Sequence, residues 1–154
     1  MITLQEFIFL REGELKLVSL HGCEGDSFEI ELDDEQVIDC NDIASDVEEL
    51  FYSSKIRIMR NENPYNAIVD SGTGRVIGAS VISYELPDDY DEFEHGSGVV
   101  TFSVVVDQEF RGQRLAERLI RDIMNNHRRQ VIKAQVVNPI MEKILINLGF
   151  VKVS

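Results

Sequence analysis

The sequence predicts an α/β (α+β) fold with a mixed, mostly antiparallel central sheet flanked by helices. Three observations carry this. Residues 99–106, VVTFSVVV, are a near-continuous β-branched run, which reads as a central strand covered on both faces. Residues 115–126 put Leu115, Ala116, Leu119, Ile120, Ile123 and Met124 on one helical stripe. Two apolar strands, at 67–69 and 76–84, flank the turn DSGTGR, as in a hairpin.

The remaining elements follow in order. FIFL and LKLVSL read as strands on either side of the turn Arg11-Glu12-Gly13-Glu14. SFEIEL alternates Phe28, Ile30 and Leu32 with polar residues, as a half-buried strand does. Residues 33–54 turn helical: Val37, Ala44, Val47 and Phe51 recur at helical spacing, and Asp33 or Asp34 can cap the start. Asn41-Asp42 predicts a split into two short helices, because both residues favour caps over interiors. Residues 86–98 form an acidic loop. VIKAQVV, 131–137, is a strand. Asn138 is an N-cap with Pro139 in the first turn, and Gly149 ends that helix. FVKV, 150–153, starts a last strand. The expected organisation is one domain over 1–154, with extra N-terminal strands in 1–33 and a core in 99–150.

The formal net charge is −13 and is unevenly spread. Residues 1–98 hold 6 basic and 23 acidic residues, whereas 99–154 hold 9 basic and 5 acidic. An acidic chain is a poor binder of a nucleic-acid backbone, whose counterions are displaced by Lys and Arg. The basic part can hold an anion, and the acidic part can attract a cation or serve solubility. Cys23 and Cys40 lack metal spacing and are too few for a disulfide framework, so free thiols in a reducing compartment are expected, with a cytoplasmic location. The first residues, MITLQEFIFLREG, have no basic segment of a signal peptide, and no apolar run approaches a membrane span.

The segment QEFRGQRLAERLI joins the central strand to the next helix. Its turn reads two ways. One is a polar strand–helix connection with surface arginines. The other is an anion cradle: free N–H groups and the positive dipole end at the helix start, close backbone approach at Gly112, and charge from Arg111 and Arg114. It is neither a Walker loop nor a dinucleotide fingerprint.

VVVDQEFRGQRLAERLI resembles the acetyl-coenzyme A motif of the GNAT N-acetyltransferase superfamily, Arg/Gln-x-x-Gly-x-Gly/Ala between strand and helix. Arg111, Gly112, Gln113, Arg114, Leu115 and Ala116 fall on its six positions, with Arg114 where the fourth is usually Gly. VVNPIMEKILINLGF is similar to the later strand–helix segment, with Asn138 on the asparagine that commonly contacts the cofactor and Gly149-Phe150 on its closing pair. The resemblance implies a GNAT-like sheet, acetyl-coenzyme A as cosubstrate and no metal. It implies that the backbone of Val104, Val105 and Val106 pairs with the pantetheine arm, and that the 112–116 amides hold the pyrophosphate.

The implied reaction is direct acetyl transfer to a primary amine of a small molecule or protein. It needs a base for the amine and a donor for the oxyanion. Glu94 and His95, before the central strand, and Ser103, on it, are the candidate catalytic groups. The acidic loop favours a cationic acceptor. Two departures matter. The family's acid, a tyrosine seven residues after the asparagine, is replaced by Leu145. The family's longer final hairpin is shortened, which leaves a sheet edge for the N-terminal strands or a homodimer to cover. The rival reading is a weak or inactive binding protein on the same scaffold, with an acidic working surface. No membrane partner is expected.

Overall fold

A computed structural model describes residues 15–20, 29–33, 36–85, 98–112, 114–134 and 138–153. The strands are β1 (Leu15–Ser19), β2 (Glu29–Asp33), β3 (Gln36–Asp39), β4 (Asn63–Asp70), β5 (Val76–Glu85), β6 (Val99–Val106) and β7 (Val131–Ala134). The α-helices are α1 (Cys40–Ser53), α2 (Leu115–Asn126) and α3 (Pro139–Asn147). Five strands form one sheet in the order β1-β4-β5-β6-β7, and β2 and β3 form a separate hairpin. The β1–β4, β4–β5 and β5–β6 pairs are antiparallel, while β6–β7 is parallel. The sheet is thus the mixed, mostly antiparallel one the sequence predicts.

Strand β6 is covered on both faces, as its β-branched run requires. Val105 packs toward α1 with Val47, Phe51 and Val81. Val100, Phe102 and Val104 pack toward α2 with Leu119, Ile120 and Ile123. The inner face of α3 joins that second cluster through Leu145, Met141, Ile144 and Leu148.

Several boundaries differ from the sequence reading. The predicted helix over 33–54 begins only at Cys40, capped by Asp39, whose Oδ1 accepts from Asn41 N–H at 2.9 Å. Val37 and Ile38 instead pair with Glu31 and Ile30 in the β2–β3 hairpin. A β-branched pair suits a strand, and helical spacing over so short a window does not discriminate. Asn41-Asp42 does not split α1. Both residues lie in its first turn, where their preference for helix starts is met. Residues 150–153 form no strand. Lys152 Nζ pairs with Glu142 Oε1 at 3.0 Å, which holds this segment alongside α3. Cys40 is disulfide-bonded, so the free-thiol expectation fails there and the reducing-compartment argument loses its ground. Cys23, FIFL and the acidic stretch 86–97 lie outside the described residues.

Candidate functional site

The last described β6–β7 pair is Phe102↔Ala134. Strand β6 continues four residues further, to Val106, so Val104, Val105 and Val106 extend past that pair. The chain then turns. Asp107 N–H bonds Ile77 O at 2.7 Å, and Asp107 Oδ1 caps a single 3-10 turn, Gln108–Phe110, by accepting from Glu109 N–H at 3.0 Å.

Gly112 follows with φ 91°, and a Cβ built there meets no heavy atom within 4 Å. Arg114 stands at the N-cap of α2 with φ 60° and ψ 26°, a left-handed conformation, and makes no side-chain cap bond. This explains why glycine is the usual residue at that position: the turn needs positive φ, which strains any residue with a Cβ. The first helical bond runs from Arg118 N–H to Arg114 O at 3.2 Å. The amides of Leu115, Ala116 and Glu117 precede it, and they open the helix at its positive dipole end. The other two described α-helices start differently. Asp39 caps α1, and Asn138 caps α3 by accepting from Met141 N–H at 2.8 Å. Arg111, Gly112 and Arg114 are exposed at this turn. Gln113 lies outside the described residues, as do Glu94 and His95.

Ser103 is on β6, opposite Val81, and is buried. Leu145 is buried in the cluster that also holds Phe102 and Phe150, so its position offers no proton donor. Phe150 meets Phe102 edge-on at 6.0 Å between ring centroids.

At the far end of α2 lies a polar group that the sequence did not reveal. Asn66 and Ser80 are fully buried beneath the helix. Asn66 Nδ2 donates to Asp122 Oδ2 at 2.8 Å and Leu119 O at 3.3 Å, and Ser80 Oγ donates to Asn66 Oδ1. His127 Nδ1–H donates to Ile123 O at 2.7 Å, and its Nε2 lies within hydrogen-bond reach of the Tyr84 hydroxyl at 3.1 Å. Burial pushes the Tyr84 hydroxyl above its usual range, and Tyr65 adds to this. Burial does the same for Tyr65, against the lowering hydrogen bond from Asn126. His127, at the other end of α2, lies a full helix of twelve residues, about 18 Å, from the Gly112 turn, whereas Asn66 reaches the middle of the helix at Leu119 and Asp122.

Arg75 was legible only as a turn residue, yet its guanidinium binds Asp107, 32 residues away in sequence. Only the fold brings the two together.

No protein-family model and no curated protein sequence matches the chain. Solved structures do. An acetyltransferase from Trypanosoma brucei is 17% identical, with a TM-score of 0.56 over 84% of this chain and 94% of that one. The aminoglycoside N-acetyltransferase AAC(6')-Iy in complex with CoA is 16% identical, with a TM-score of 0.52 over 84% and 93%. The KacTA–DNA complex matches at 16% identity and a TM-score of 0.55 over 92% and 87%. With its mostly antiparallel five-stranded sheet and flanking helices, the chain has a GNAT-like fold.

Proposed function

We propose that this chain is an acetyl-CoA-dependent N-acetyltransferase that moves an acetyl group directly to a primary amine. The observation that carries this is the start of α2. Two turn positions with positive φ, Gly112 and Arg114, precede a helix N-terminus without a side-chain cap, with open space at the Gly112 Cβ. That arrangement fits a pyrophosphate.

In this reading the amides of 112–116 and the charges of Arg111, Gln113's neighbour Arg114 and the helix dipole hold the pyrophosphate. In the same reading the backbone of Val104, Val105 and Val106 takes the pantetheine arm as an added strand, and Asn138, whose side chain caps α3, contributes a cofactor contact. Acetyl-CoA supplies a thioester whose carbonyl carbon an amine can attack. An N–H of β6 is the donor for the developing oxyanion. Glu94 or His95 takes the proton from the amine, and Ser103 lines the strand beside the reacting groups. With leucine at 145, solvent protonates the departing thiolate. A cationic acceptor, small molecule or protein, fits the acidic first two-thirds of the chain. The net charge of −13 does not favour a nucleic-acid backbone, so the DNA complex among the similar structures is not carried over.

Leu145 gives weight to a second reading, a GNAT-fold binding protein that takes coenzyme A without turnover. Two measurements separate these. Calorimetry with coenzyme A should show binding by the wild type and its loss in Arg111→Glu/Arg114→Glu. Equal binding in the double variant would sink the cradle. Thiol release across a panel of amines should show steady turnover with at least one; binding without turnover on any amine selects the second reading.

A further inference from the structure

We propose that Arg75 is a positioning residue for the pyrophosphate cradle, a role that rests on the acetyl-CoA reading above. Arg75 follows the β4–β5 turn and is itself bound on several sides. Its Nη2 pairs with Asp107 Oδ2, its Nη1 lies 3.5 Å from Glu109 Oε2, and its guanidinium carbon is 5.6 Å from the centre of the Phe110 ring. These three partners are the residues that leave β6 and lead to Arg111 and Gly112.

The loop is also held by backbone bonds and by Phe110, which packs against the cluster that includes Phe102 and Leu115. Asp107 hangs from Ile77 O through its N–H, and Phe110 N–H closes the turn on Asp107 O at 2.9 Å. Arg75 clamps the outer side. A planar guanidinium that meets two carboxylates and an aromatic face sets an orientation as well as a charge balance. Loss of that clamp removes the side-chain hold on the outer side of the turn and leaves the direction of the chain at Gly112 to the 3-10 turn, the Asp107–Ile77 bond and the packing of Phe110.

Charge makes the second half of the case. Asp107 and Glu109 stand five and three residues before Gly112, on the approach to the proposed pyrophosphate site. Asp46 and Glu49 of α1 line the same depression of about 310 Å³ as Arg75 and Asp107. Among its described lining residues, Arg75 is the cation. A pyrophosphate approaching without Arg75 meets uncompensated carboxylates, whose repulsion is longer-ranged at low salt.

The test uses the whole chain and calorimetry at low salt with two probes: coenzyme A and pantetheine, which lacks the pyrophosphate. Arg75→Ala should weaken coenzyme A about 10-fold and leave pantetheine unchanged. Arg75→Lys, which keeps the charge but not the fork, should recover part of the affinity. The triple change Arg75→Ala/Asp107→Asn/Glu109→Gln should recover part of it by removing the repulsion. Unchanged coenzyme A binding in Arg75→Ala, given wild-type binding, overturns the assignment. So does an equal loss for both probes, which would mark a general structural role. If the wild type binds no coenzyme A, the cradle reading fails and Arg75's role goes with it. Should Arg75→Ala not fold, the Lys and triple variants carry the same comparison.

Discussion

Replacing Arg114 by glycine should raise stability and, in the same protein, weaken coenzyme A binding. Arg114 holds φ 60° and ψ 26° at the start of α2, with no side-chain cap in return. A left-handed conformation costs an L-residue about 1–2 kcal/mol. Glycine removes that cost but gives the unfolded chain more freedom, worth about 0.4–1 kcal/mol in the opposite direction. The net gain is about 0.5–1 kcal/mol. For a chain of this length that is an increase in Tm of roughly 1–4 °C. Arg114→Ala is the control: it removes the same exposed charge and keeps the strain, so its Tm should stay near the wild type. Both variants lose one charge-assisted phosphate contact, worth at least about 1.5 kcal/mol, or roughly 10-fold in Kd. Thermal unfolding by circular dichroism and calorimetry with coenzyme A read the two effects separately. A glycine variant no more stable than the alanine variant would refute the strain argument.

Three further outcomes are expected. Glu62 is buried, its Oε1 accepts from Met59 N–H at 2.9 Å, and its Oε2 has no hydrogen-bond partner among the described residues. Glu62→Gln keeps the first bond and removes the unpaired charge, so urea unfolding at pH 7 should show a gain of about 1–2 kcal/mol; a loss would mean that the charge is compensated. Burial, then Glu49 and Asp42, raise Asp46 above its ordinary 3.8. A raised carboxyl contributes stability that is complete below the unfolded value and is lost as pH climbs through the folded one. Asp46→Asn should therefore gain a few tenths of a kcal/mol at pH 7, after solvent screening, and nothing at pH 2.5, in unfolding curves at the two pH values. Gly112→Ala and Gly149→Ala both meet open space at positive φ, 91° and 99°. Each should cost about 1–2 kcal/mol of stability from backbone strain, but only Gly112→Ala should also weaken coenzyme A, by about 10-fold.

The part of the fold that the sequence shows best is the part with long periodic signals. The β-branched run of β6, the stripe on α2 and the Asn138-Pro139 start of α3 are all local, and each lies where expected. The hairpin of β4 and β5 is local too. The errors occur where local signals conflict or are too short. Val37 fits both a helix stripe and a strand pair, and its pairing with Glu31 decides for the strand. The capping role given to Asp33 or Asp34 falls to Asp39, because the helix starts later. What is non-local was not legible at all. Arg75 with Asp107, and Asn66 with Asp122, are contacts between residues 32 and 56 apart. The conformation of Arg114 lies between these cases. The motif expects glycine there, and only the observed φ shows that the backbone has kept glycine's conformation with a different side chain.

Backbone and side-chain roles in the proposed site differ in how easily sequence change erases them. The pyrophosphate is assigned to amides at a helix start, and pantetheine to the edge of β6. Most side chains can be exchanged without removing these groups, provided that the turn keeps its φ values, as Arg114 does. A proton donor on α3, by contrast, is a single side chain. One substitution removes it, and the apolar packing of Leu145 against the Phe102 cluster makes its return costly, because a tyrosine there would need room and a hydrogen-bond partner for its hydroxyl. If the proposed function holds, coenzyme A affinity is the property that sequence change erases less easily and turnover the one that it erases more easily. Leu145→Tyr should therefore leave coenzyme A binding within a few-fold, as calorimetry would read it, and should lower stability by about 1–3 kcal/mol from overpacking. If thiol release rises nonetheless, the missing acid limits the reaction; if release is unchanged in a folded variant, solvent already suffices.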